Sequence, residues 1–374
     1  MKRVSILIKP ASSLCQLRCK YCFYANVSSL REVKSYGKMK KDVYDKLIEN
    51  VFYDLEDGDD LTIAFQGGEP TLAGFSFFED FIQVVKAQSK KVQVHYSLQT
   101  NGMIINPRWA QLLKENNFLV GLSMDGNAVY HDLYRLDAKG QGTFQRVMTT
   151  KKLFDEYHID YNILCVLTNP LAKEARKVFQ FLKQNNIQYV QFIPCLNDLE
   201  AVERNEYALT PKRFASFYTQ LLKLWLEELK KGNYISIKLF DDVYNLLMNH
   251  QVNACGLTGK CQVQYVIEAD GSVYPCDFYV LDEYRLGYIQ KQTLKELFSQ
   301  PTALKFICSR KTLPAYCQTC PFFKVCAGGC KRMDNAMYVN QENTFCGYQK
   351  FLEEFVPKLD EITQSMNQIY AYQK

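Results

Sequence analysis

The sequence predicts an α/β fold, a partial (β/α)6 TIM-type barrel followed by a smaller cysteine-rich domain. Short apolar runs alternate with stretches of helical periodicity over the first part of the chain, and nine of the 14 cysteines lie from Cys255 onward. Parallel strands need a crossover between them, so six repeated β-α units favour a parallel sheet with right-handed connections. We expect the boundary near Gly232, with domains at 1–233 and 234–374.

The apolar pattern predicts each element of the barrel. The predicted strands are Val4–Ile8, Leu61–Phe65, Val92–Leu98, Phe118–Ser123, Tyr161–Leu167 and Ile187–Ile193. The predicted helices, with apolar residues at helical spacing, are Asp42–Tyr53, Phe75–Gln88, Arg108–Glu115, Phe144–His158, Leu171–Gln184 and Pro211–Lys231. In a barrel of this type function sits at the C-terminal ends of the strands, so the residues that follow each strand are the first candidates.

Composition and patterning argue against several classes of partner. The formal net charge of +5 without a Lys/Arg block is a weak nucleic-acid signal, so we expect no nucleic acid partner. The apolar run after Lys2 and Arg3 is interrupted by Lys9-Pro10 and is too short for a signal segment. No uninterrupted apolar run approaches a membrane span. We therefore expect no membrane partner and a cytoplasmic location, where thiols stay reduced.

Three cysteines follow the first strand in the loop Cys15-Gln-Leu-Arg-Cys19-Lys-Tyr-Cys22. Three thiolates on one loop can hold three irons of a four-iron cluster, whereas an electron-transfer cluster usually has four cysteines. The fourth iron is then open, and an open metal position is where a substrate or cofactor binds. A structural zinc site would need a fourth Cys or His at close spacing, and the sequence offers none there.

Polar motifs follow the next three strands. They are Gln66-Gly67-Gly68-Glu69-Pro70, Gln99-Thr100-Asn101-Gly102, and Ser123-Met124-Asp125-Gly126 with Arg135 beyond it. Glycines let the backbone approach a ligand closely, and a hydroxyl with a guanidinium suits a carboxylate. Each motif also has the composition of an ordinary turn, and Arg135 that of a surface ion-pair residue, so these alternatives stay open.

The cysteine-rich part contains a predicted hairpin, Gln264–Glu268 and Ser272–Pro275, on an Asp270-Gly271 turn. Around it lie eight cysteines, enough for two sets of four: Cys255, Cys261, Cys276, Cys317, Cys320, Cys326, Cys330 and Cys346. Spacing does not divide them into sets, and two zinc ribbons are an alternative. Cys165, Cys195 and Cys308 receive no ligand role, since a buried cysteine is commonly a small hydrophobe.

These motifs resemble known families. The cysteine loop, with Tyr21 and Phe23 beside Cys22, resembles the radical S-adenosylmethionine family, and Tyr274-Pro-Cys276 with Cys326-Ala-Gly-Gly-Cys330 resembles the SPASM domain. Segments such as Phe65-Gln-Gly-Gly-Glu-Pro-Thr-Leu-Ala-Gly look like the anaerobic sulfatase-maturating enzymes over nearly the whole chain. That resemblance implies oxidation of an active-site Cys or Ser of a sulfatase to Cα-formylglycine. The oxidant it implies is a 5′-deoxyadenosyl radical, made by reductive cleavage of S-adenosylmethionine.

The resemblance also implies roles for individual residues. Three 4Fe-4S clusters are implied, one on Cys15, Cys19 and Cys22, one on Cys255, Cys261, Cys276 and Cys330, and one on Cys317, Cys320, Cys326 and Cys346. For S-adenosylmethionine it implies that Gly67 binds the amino group, Ser123 and Arg135 the carboxylate, and Tyr21 and Leu196 the adenosine part. Asp277 is the implied catalytic base, with a turn-capping aspartate as the alternative.

The implied partners are a sulfatase polypeptide with a Cys/Ser-x-Pro-x-Arg segment and an external one-electron reductant such as flavodoxin or ferredoxin. Radical peptide maturases that form thioether or carbon–carbon crosslinks share the barrel and the cysteines, so they are an alternative. A zinc-stabilised peptide-binding scaffold is the non-enzymatic alternative. The sequence leaves open the choice between Cys and Ser, the identity of the sulfatase and of the reductant, and the oligomeric state.

Overall fold

The computed structural model describes residues 1–252, 254–309 and 312–372. The strands are β1 (Arg3–Ile8), β2 (Asp60–Phe65), β3 (Gln93–Thr100), β4 (Leu119–Ser123), β5 (Tyr161–Leu167), β6 (Tyr189–Pro194), β7 (Ser236–Ile237), β8 (Val266–Ile267), β9 (Ser272–Tyr274) and β10 (Gly287–Tyr288). The helices are α1 (Phe23–Ser29), α2 (Lys41–Tyr53), α3 (Phe75–Lys86), α4 (Pro107–Glu115), α5 (Ala128–Tyr134), α6 (Phe144–Glu156), α7 (Ala175–Gln184), α8 (Pro211–Leu229), α9 (Lys238–Met248), α10 (Leu294–Phe298), α11 (Pro301–Cys308), α12 (Phe323–Cys326), α13 (Asp334–Met337), α14 (Gly347–Phe355) and α15 (Leu359–Tyr372).

The predicted α/β class with parallel strands is confirmed. Every strand predicted for the barrel begins and ends within two residues of an observed strand. The helix predicted from Leu171 differs, because a 3₁₀ turn covers Leu171–Lys173 and Glu174 leaves the helical conformation before α7 begins. Within the described residues, no helix is both long enough and apolar enough to span a membrane.

The chain forms two compact units. The first contains Met1–Ser123, Arg135–Tyr161 and Gln262–Arg310, and the second contains Met124–Tyr134, Asn162–Cys261 and Lys311–Lys374. Each unit combines segments from both sides of residue 233. The domain division at that residue stays a prediction.

In the first unit, the sheet has the order β10-β9-β8-β1-β2-β3-β4. Strands β1 to β4 are parallel, with Ile6 opposite Ile63 and Ile63 opposite Tyr96. Strand β8 lies parallel to β1, and β8 and β9 form the predicted antiparallel hairpin. The hairpin therefore brings the segment that contains Cys276 and Asp277 onto the same sheet as the strand that leads to Cys15.

Aromatic packing fixes the end of β2. Phe77, Phe78 and Phe81 of α3 pack on Phe65, with ring centroids 6.4, 4.9 and 5.2 Å away. Phe65 is fully buried, and edge-to-face contacts of this kind add to the area that it buries. The motif that begins at Gln66 therefore follows a strand end that packing holds rigidly in place.

In the second unit, β5, β6 and β7 are parallel and α8 covers them. The predicted apolar face of α8 is core, since Phe214, Tyr218 and Trp225 are buried and the Trp225 indole donates to the carbonyl of Ile235 at 2.8 Å. Helix α14 packs Phe351 against Phe214 and Tyr218. Because Cys346 is the N-cap of α14, this core also fixes the last of the predicted ligand cysteines.

Candidate functional site

The cysteine loop between β1 and α1 is held by backbone hydrogen bonds on two sides. The N–H groups of Gly68 and Glu69 donate to the carbonyls of Ser12 and Leu14 at 2.9 and 2.8 Å. On the other side, the N–H of Arg18 donates to Leu136 at 2.7 Å, and Leu17 forms an antiparallel bridge with Asp137. The loop is therefore shaped by its neighbours before any ligand binds.

Polar groups surround the sulfurs of this loop. The Asn101 side-chain amide lies 3.6 Å and the Leu17 N–H 3.4 Å from Cys15 Sγ, and Arg135 Nη1 lies 4.0 Å from Cys19 Sγ. Donors around ligand sulfurs orient them and tune the bound metal. Burial raises the pKa of the Cys15 thiol to about 11 in the metal-free chain. Thiols bind metals as thiolates, so a metal bound at Cys15 would displace the thiol proton.

Glu69 links two of the sequence motifs. Its buried carboxylate accepts hydrogen bonds from the Thr100 hydroxyl and the Asn101 N–H, both at 2.8 Å. Burial raises the pKa of Glu69, while these hydrogen bonds oppose that effect. The interpretation of Gln99–Gly102 as a turn is wrong for its first half, because Gln99 and Thr100 are the last residues of β3; the chain leaves the strand at Asn101 and Gly102, with Gly102 at φ +76°. The end of this strand places Asn101 beside Cys15, a contact that sequence analysis missed.

Gly67 and Gly68 must be glycine because the backbone at these positions lies very close to the segment before Cys15. A Cβ on Gly67 would lie 2.8 Å from the Ser12 carbonyl oxygen, and its φ is +119°. A Cβ on Gly68 would lie 2.3 Å from the Leu14 carbonyl oxygen. Only glycine fits such positions without moving the backbone.

We expect Gly68→Ala to disrupt the cysteine loop. The new methyl group must push against the Leu14 backbone, and overpacking of this kind costs about 1–3 kcal/mol. Thermal unfolding of the metal-free variant should show the lower stability, and iron analysis after anaerobic reconstitution should show less bound iron. Ser76→Ala is the control, because Ser76 is an exposed residue of α3, where Ala fits the helical backbone. Normal stability and iron content in Gly68→Ala would contradict this account.

Asp277 lies directly after Cys276 and begins a 3₁₀ turn, Asp277–Tyr279. Its carboxylate is engaged by two side chains: Tyr24 donates to Oδ2 at 2.6 Å, and Lys9 Nζ lies 3.1 Å from Oδ1. The Lys9 side chain is only 3% exposed, and its ammonium lies 4.3 Å from the centre of the Tyr24 ring. Among the described residues, buried Oδ1 has no partner with hydrogen-bond geometry. The contact of Oδ1 is the ion pair with Lys9.

Tyr24 extends this cluster toward Gln66. Its hydroxyl oxygen lies 3.1 Å from Gln66 Oε1, and Gln66 immediately precedes Gly67. Burial, and then the charge of Asp277, raise the pKa of Tyr24 well above its usual value. The Tyr24 hydroxyl therefore stays protonated and acts as a donor. Sequence analysis missed Lys9, Tyr24 and Gln66; the available signal was a charged residue, Lys9, directly at the end of an apolar strand.

The residues expected to contact S-adenosylmethionine lie at strand ends or beside the cysteine loop. Tyr21 and Arg135 are both buried, and the guanidinium lies 5.7 Å from the centre of the Tyr21 ring. Burial of Arg135 argues against the alternative of a surface ion-pair residue. Ser123 ends β4. Leu196 belongs to the second unit, where it is buried after β6.

The four cysteines assigned to one auxiliary cluster line a single cavity of the second unit. Cys317, Cys320, Cys326 and Cys346 share that cavity with aromatic side chains, Tyr316, Phe322, Phe323, Tyr338 and Tyr348. Burial raises the pKa of the Cys346 thiol to about 12, and the nearby sulfurs of Cys326 and Cys320 add to the effect. Four thiols around one apolar cavity fit a group held by four thiolates.

The cysteines of the other predicted auxiliary set are divided between the two units. In the second unit Cys255 and Cys330 line another cavity, where a Cβ on Gly256 would lie 2.7 Å from the Cys330 Cβ. Cys261 belongs to the same unit, and Cys276 belongs to the first. None of the cysteines within the described residues is in a disulfide. Gly256 directly follows Cys255, so its close approach to Cys330 fixes the distance between the two predicted ligand cysteines Cys255 and Cys330.

Comparison with known proteins agrees with this organisation. A model of the radical SAM superfamily matches residues 10–182, and a model of the SPASM iron–sulfur cluster-binding domain matches residues 258–321. The fold and the cysteine sets thus define a radical S-adenosylmethionine protein with a cluster-binding extension. The chain is 41% identical to a cysteine-type anaerobic sulfatase-maturating enzyme of Clostridium novyi, over 98% of this chain and 99% of the relative. This chain belongs to the family of anaerobic sulfatase-maturating enzymes.

Further relatives differ in the type of target that their names state. A cysteine-type enzyme of Clostridium perfringens is 41% identical over 98% of this chain and 100% of its own length, and a serine-type enzyme of Klebsiella aerogenes is 29% identical over 98% and 89%. The solved structure of native anSMEcpe with bound AdoMet and Kp18Cys peptide is 40% identical over 98% of this chain and 99% of its own, with a TM-score of 0.89. Streptococcus suis SuiB bound to S-adenosylmethionine is 17% identical with a TM-score of 0.62, a likeness of fold alone.

Proposed function

We propose that this chain oxidises an active-site cysteine of a sulfatase to Cα-formylglycine, with S-adenosylmethionine as the source of the oxidising radical. Cysteine is favoured over serine as the target because the cysteine-type relatives are 41% identical and the serine-type relatives 26–29%. The observation that carries the proposal is the Asp277 carboxylate, held next to Cys276 by contacts with Tyr24 and Lys9.

The cysteines would hold three 4Fe-4S clusters in the sets that the sequence implied. Cys15, Cys19 and Cys22 share one preformed loop, and Cys317, Cys320, Cys326 and Cys346 share one cavity, which supports both assignments. Cys255, Cys261, Cys276 and Cys330 remain for the third cluster. When bound, the first cluster and S-adenosylmethionine supply the one-electron chemistry that removes a hydrogen atom from the target's Cβ.

Residues around the cysteine loop would bind and orient S-adenosylmethionine. The buried Arg135 guanidinium and the Ser123 hydroxyl suit its carboxylate, since both donate hydrogen bonds to anions. The backbone of Gly67, which lies against the segment that contains Ser12, would bind its amino group, as the family resemblance implies. Tyr21 and Leu196 offer buried apolar surface for the adenosine part.

Asp277 would take the proton of the target thiol. Lys9 and Tyr24 face the carboxylate from two sides, with the ammonium at 3.1 Å and the hydroxyl donor at 2.6 Å, and these contacts fix its orientation. A base must be within hydrogen-bond reach of the proton it accepts, and Oδ1, which makes an ion pair with Lys9 but no hydrogen bond within the described residues, would make that contact.

The chain would take its electrons from an external one-electron reductant such as flavodoxin or ferredoxin. We place the reaction in the cytoplasm because cluster-bound cysteines need reduced thiols, which a reducing compartment maintains. The partner is a sulfatase polypeptide with a Cys-x-Pro-x-Arg segment.

Incubation with three peptides tests the function and the target type together. We expect the anaerobic, reconstituted protein with reductant and S-adenosylmethionine to convert a Cys-x-Pro-x-Arg peptide to the aldehyde. The matching Ser peptide should react more slowly, and a matching Ala peptide should not react. Mass spectrometry of the peptide and quantification of 5′-deoxyadenosine give the readout. A crosslinked peptide without aldehyde would contradict the proposal, and equal or faster conversion of the Ser peptide would contradict the target preference.

A further inference from the structure

Four basic residues lie on the outer surface of the cysteine loop and its neighbours. Arg18 and Lys20 alternate with the ligand cysteines, Lys139 lies at the tip of the turn 136–142, and Arg146 lies in the first turn of α6. All four side chains belong to exposed residues. We call this surface the basic patch.

Backbone contacts fix the parts of the basic patch to one another. The bridge between Leu17 and Asp137 joins the cysteine loop to the turn that carries Lys139. The Asp137 carboxylate accepts hydrogen bonds from the N–H groups of Lys139 and Gln141 at 2.8 and 3.0 Å, so the turn is rigid. These hydrogen bonds, with the nearby charges of Arg146 and Lys139, lower the pKa of Asp137. Arg146 therefore lies close to the same turn.

The basic patch carries a net positive charge that its own structure does not neutralise. In residues 14–22 and 136–146 the four basic side chains face one carboxylate, Asp137, which two backbone N–H groups already engage. Leu14, immediately before Cys15, is 37% exposed, and so is Ile104, three residues after Asn101, whose side chain contacts Cys15. Exposed apolar side chains beside a charged rim are the composition of a transient protein interface.

We propose that the basic patch docks an acidic one-electron carrier protein that reduces the first cluster. This inference rests on the proposed function, which requires one electron at Cys15, Cys19 and Cys22 for each cleavage. The carrier loses one electron and the cluster gains one, with no bond formed or broken between the proteins. Electron transfer weakens steeply with distance, so a carrier must reach the exposed side of this loop. Opposite charge steers such an encounter and raises its rate.

The test reverses charge in the basic patch without touching the cysteine loop. Lys139→Glu with Arg146→Glu changes the charge by four while Arg18, whose Nη1 donates to the carbonyls of Cys15 and Leu17, stays in place. The control is Lys46→Glu with Lys291→Glu, the same charge change at exposed positions on α2 and after β10. The probe is reduced flavodoxin of strongly negative net charge, added to each reconstituted holoenzyme.

Two measurements decide the outcome. Stopped-flow absorbance should show cluster reduction by flavodoxin roughly ten- to a hundred-fold slower in the patch variant at low ionic strength, with a flatter dependence on salt. Flavodoxin binding to the oxidised holoenzyme should weaken in parallel, whereas the control should match wild type in both. Equal rates and affinities in patch and control variants would overturn the proposal.

A chemical reductant separates this inference from the proposed function. With dithionite in place of flavodoxin, all three proteins should form the peptide aldehyde at the same rate. Wild type without aldehyde would overturn the proposed function. A dithionite-driven rate that falls in the patch variant as much as the flavodoxin-driven rate would show a defect in the cluster loop and overturn the docking proposal.

Discussion

Replacing Cys15, Cys19 and Cys22 together by Ala is expected to abolish cleavage of S-adenosylmethionine and to leave both auxiliary clusters in place. Three clusters correspond to about twelve irons and twelve sulfides per chain, so the variant should keep about eight irons. The loss is local because this loop belongs to the first unit, whereas seven of the eight cysteines in the two other predicted sets belong to the second and the eighth, Cys276, follows strand β9 rather than this loop.

Iron and sulfide analysis and the yield of 5′-deoxyadenosine measure this result. The matched control replaces Cys165, Cys195 and Cys308, which have no assigned ligand role, by Ala and removes the same number of thiols. It should keep about twelve irons and normal cleavage. Cleavage that survives in the first variant would show that this loop does not hold the radical source. Zinc at comparable stoichiometry without sulfide would overturn the cluster assignment for the whole chain.

Sequence analysis predicted the barrel strands because each is a continuous apolar run bounded by turn residues. It did not predict β10 or the parallel pairing of β8 with β1, Leu7 opposite Val266. Strand β10 is two residues long, and so short a segment has no periodicity to detect. Its extended conformation, and the pairing of β8 with β1, depend on the neighbouring strand, a tertiary contact that local sequence does not encode.

Some residues of the candidate site could likewise be predicted from the sequence, and others could not. The ligand cysteines could be named because cysteine is rare and its spacing is informative. The contacts of Asp277 could not, since the hydrogen bond from Tyr24 joins residues 253 positions apart. Lys9 is part of an apolar strand end in the sequence, and only the fold shows that its ammonium is buried against a carboxylate. Distances between side chains on different strands follow from register, which the hairpin β8–β9 sets.

Asp277→Asn is expected to reduce formylglycine formation by roughly a hundred- to ten-thousand-fold, the effect typical of losing a general base. Asn keeps the size of the side chain and can still accept the hydrogen bond from Tyr24, but it takes up no proton. A target thiol that stays protonated blocks the collapse to the aldehyde precursor. 5′-Deoxyadenosine should still form, because the residues around Cys15 are unchanged. Measuring both products separates the two steps.

The same substitution has a second effect, since it leaves the Lys9 ammonium buried without its carboxylate. Removing one partner of a buried ion pair is costly because the other charge stays unpaired. We therefore expect Asp277→Asn to lower the thermal stability of the protein as well as its product yield. Lys9→Met with Asp277→Asn removes both charges and keeps a side chain of similar length, so its stability should recover toward that of wild type.

The double variant decides what Asp277 does. If the carboxylate is the base, aldehyde formation should stay as low in the double variant as in Asp277→Asn, although stability recovers. If Asp277 only neutralises Lys9 or caps the turn at Cys276, the double variant should regain product along with stability. Melting temperature, iron content, 5′-deoxyadenosine and aldehyde are measured for both variants and for Tyr24→Phe, which removes one donor and keeps the carboxylate. Aldehyde yield near wild type in the double variant would remove Asp277 from the proton transfer.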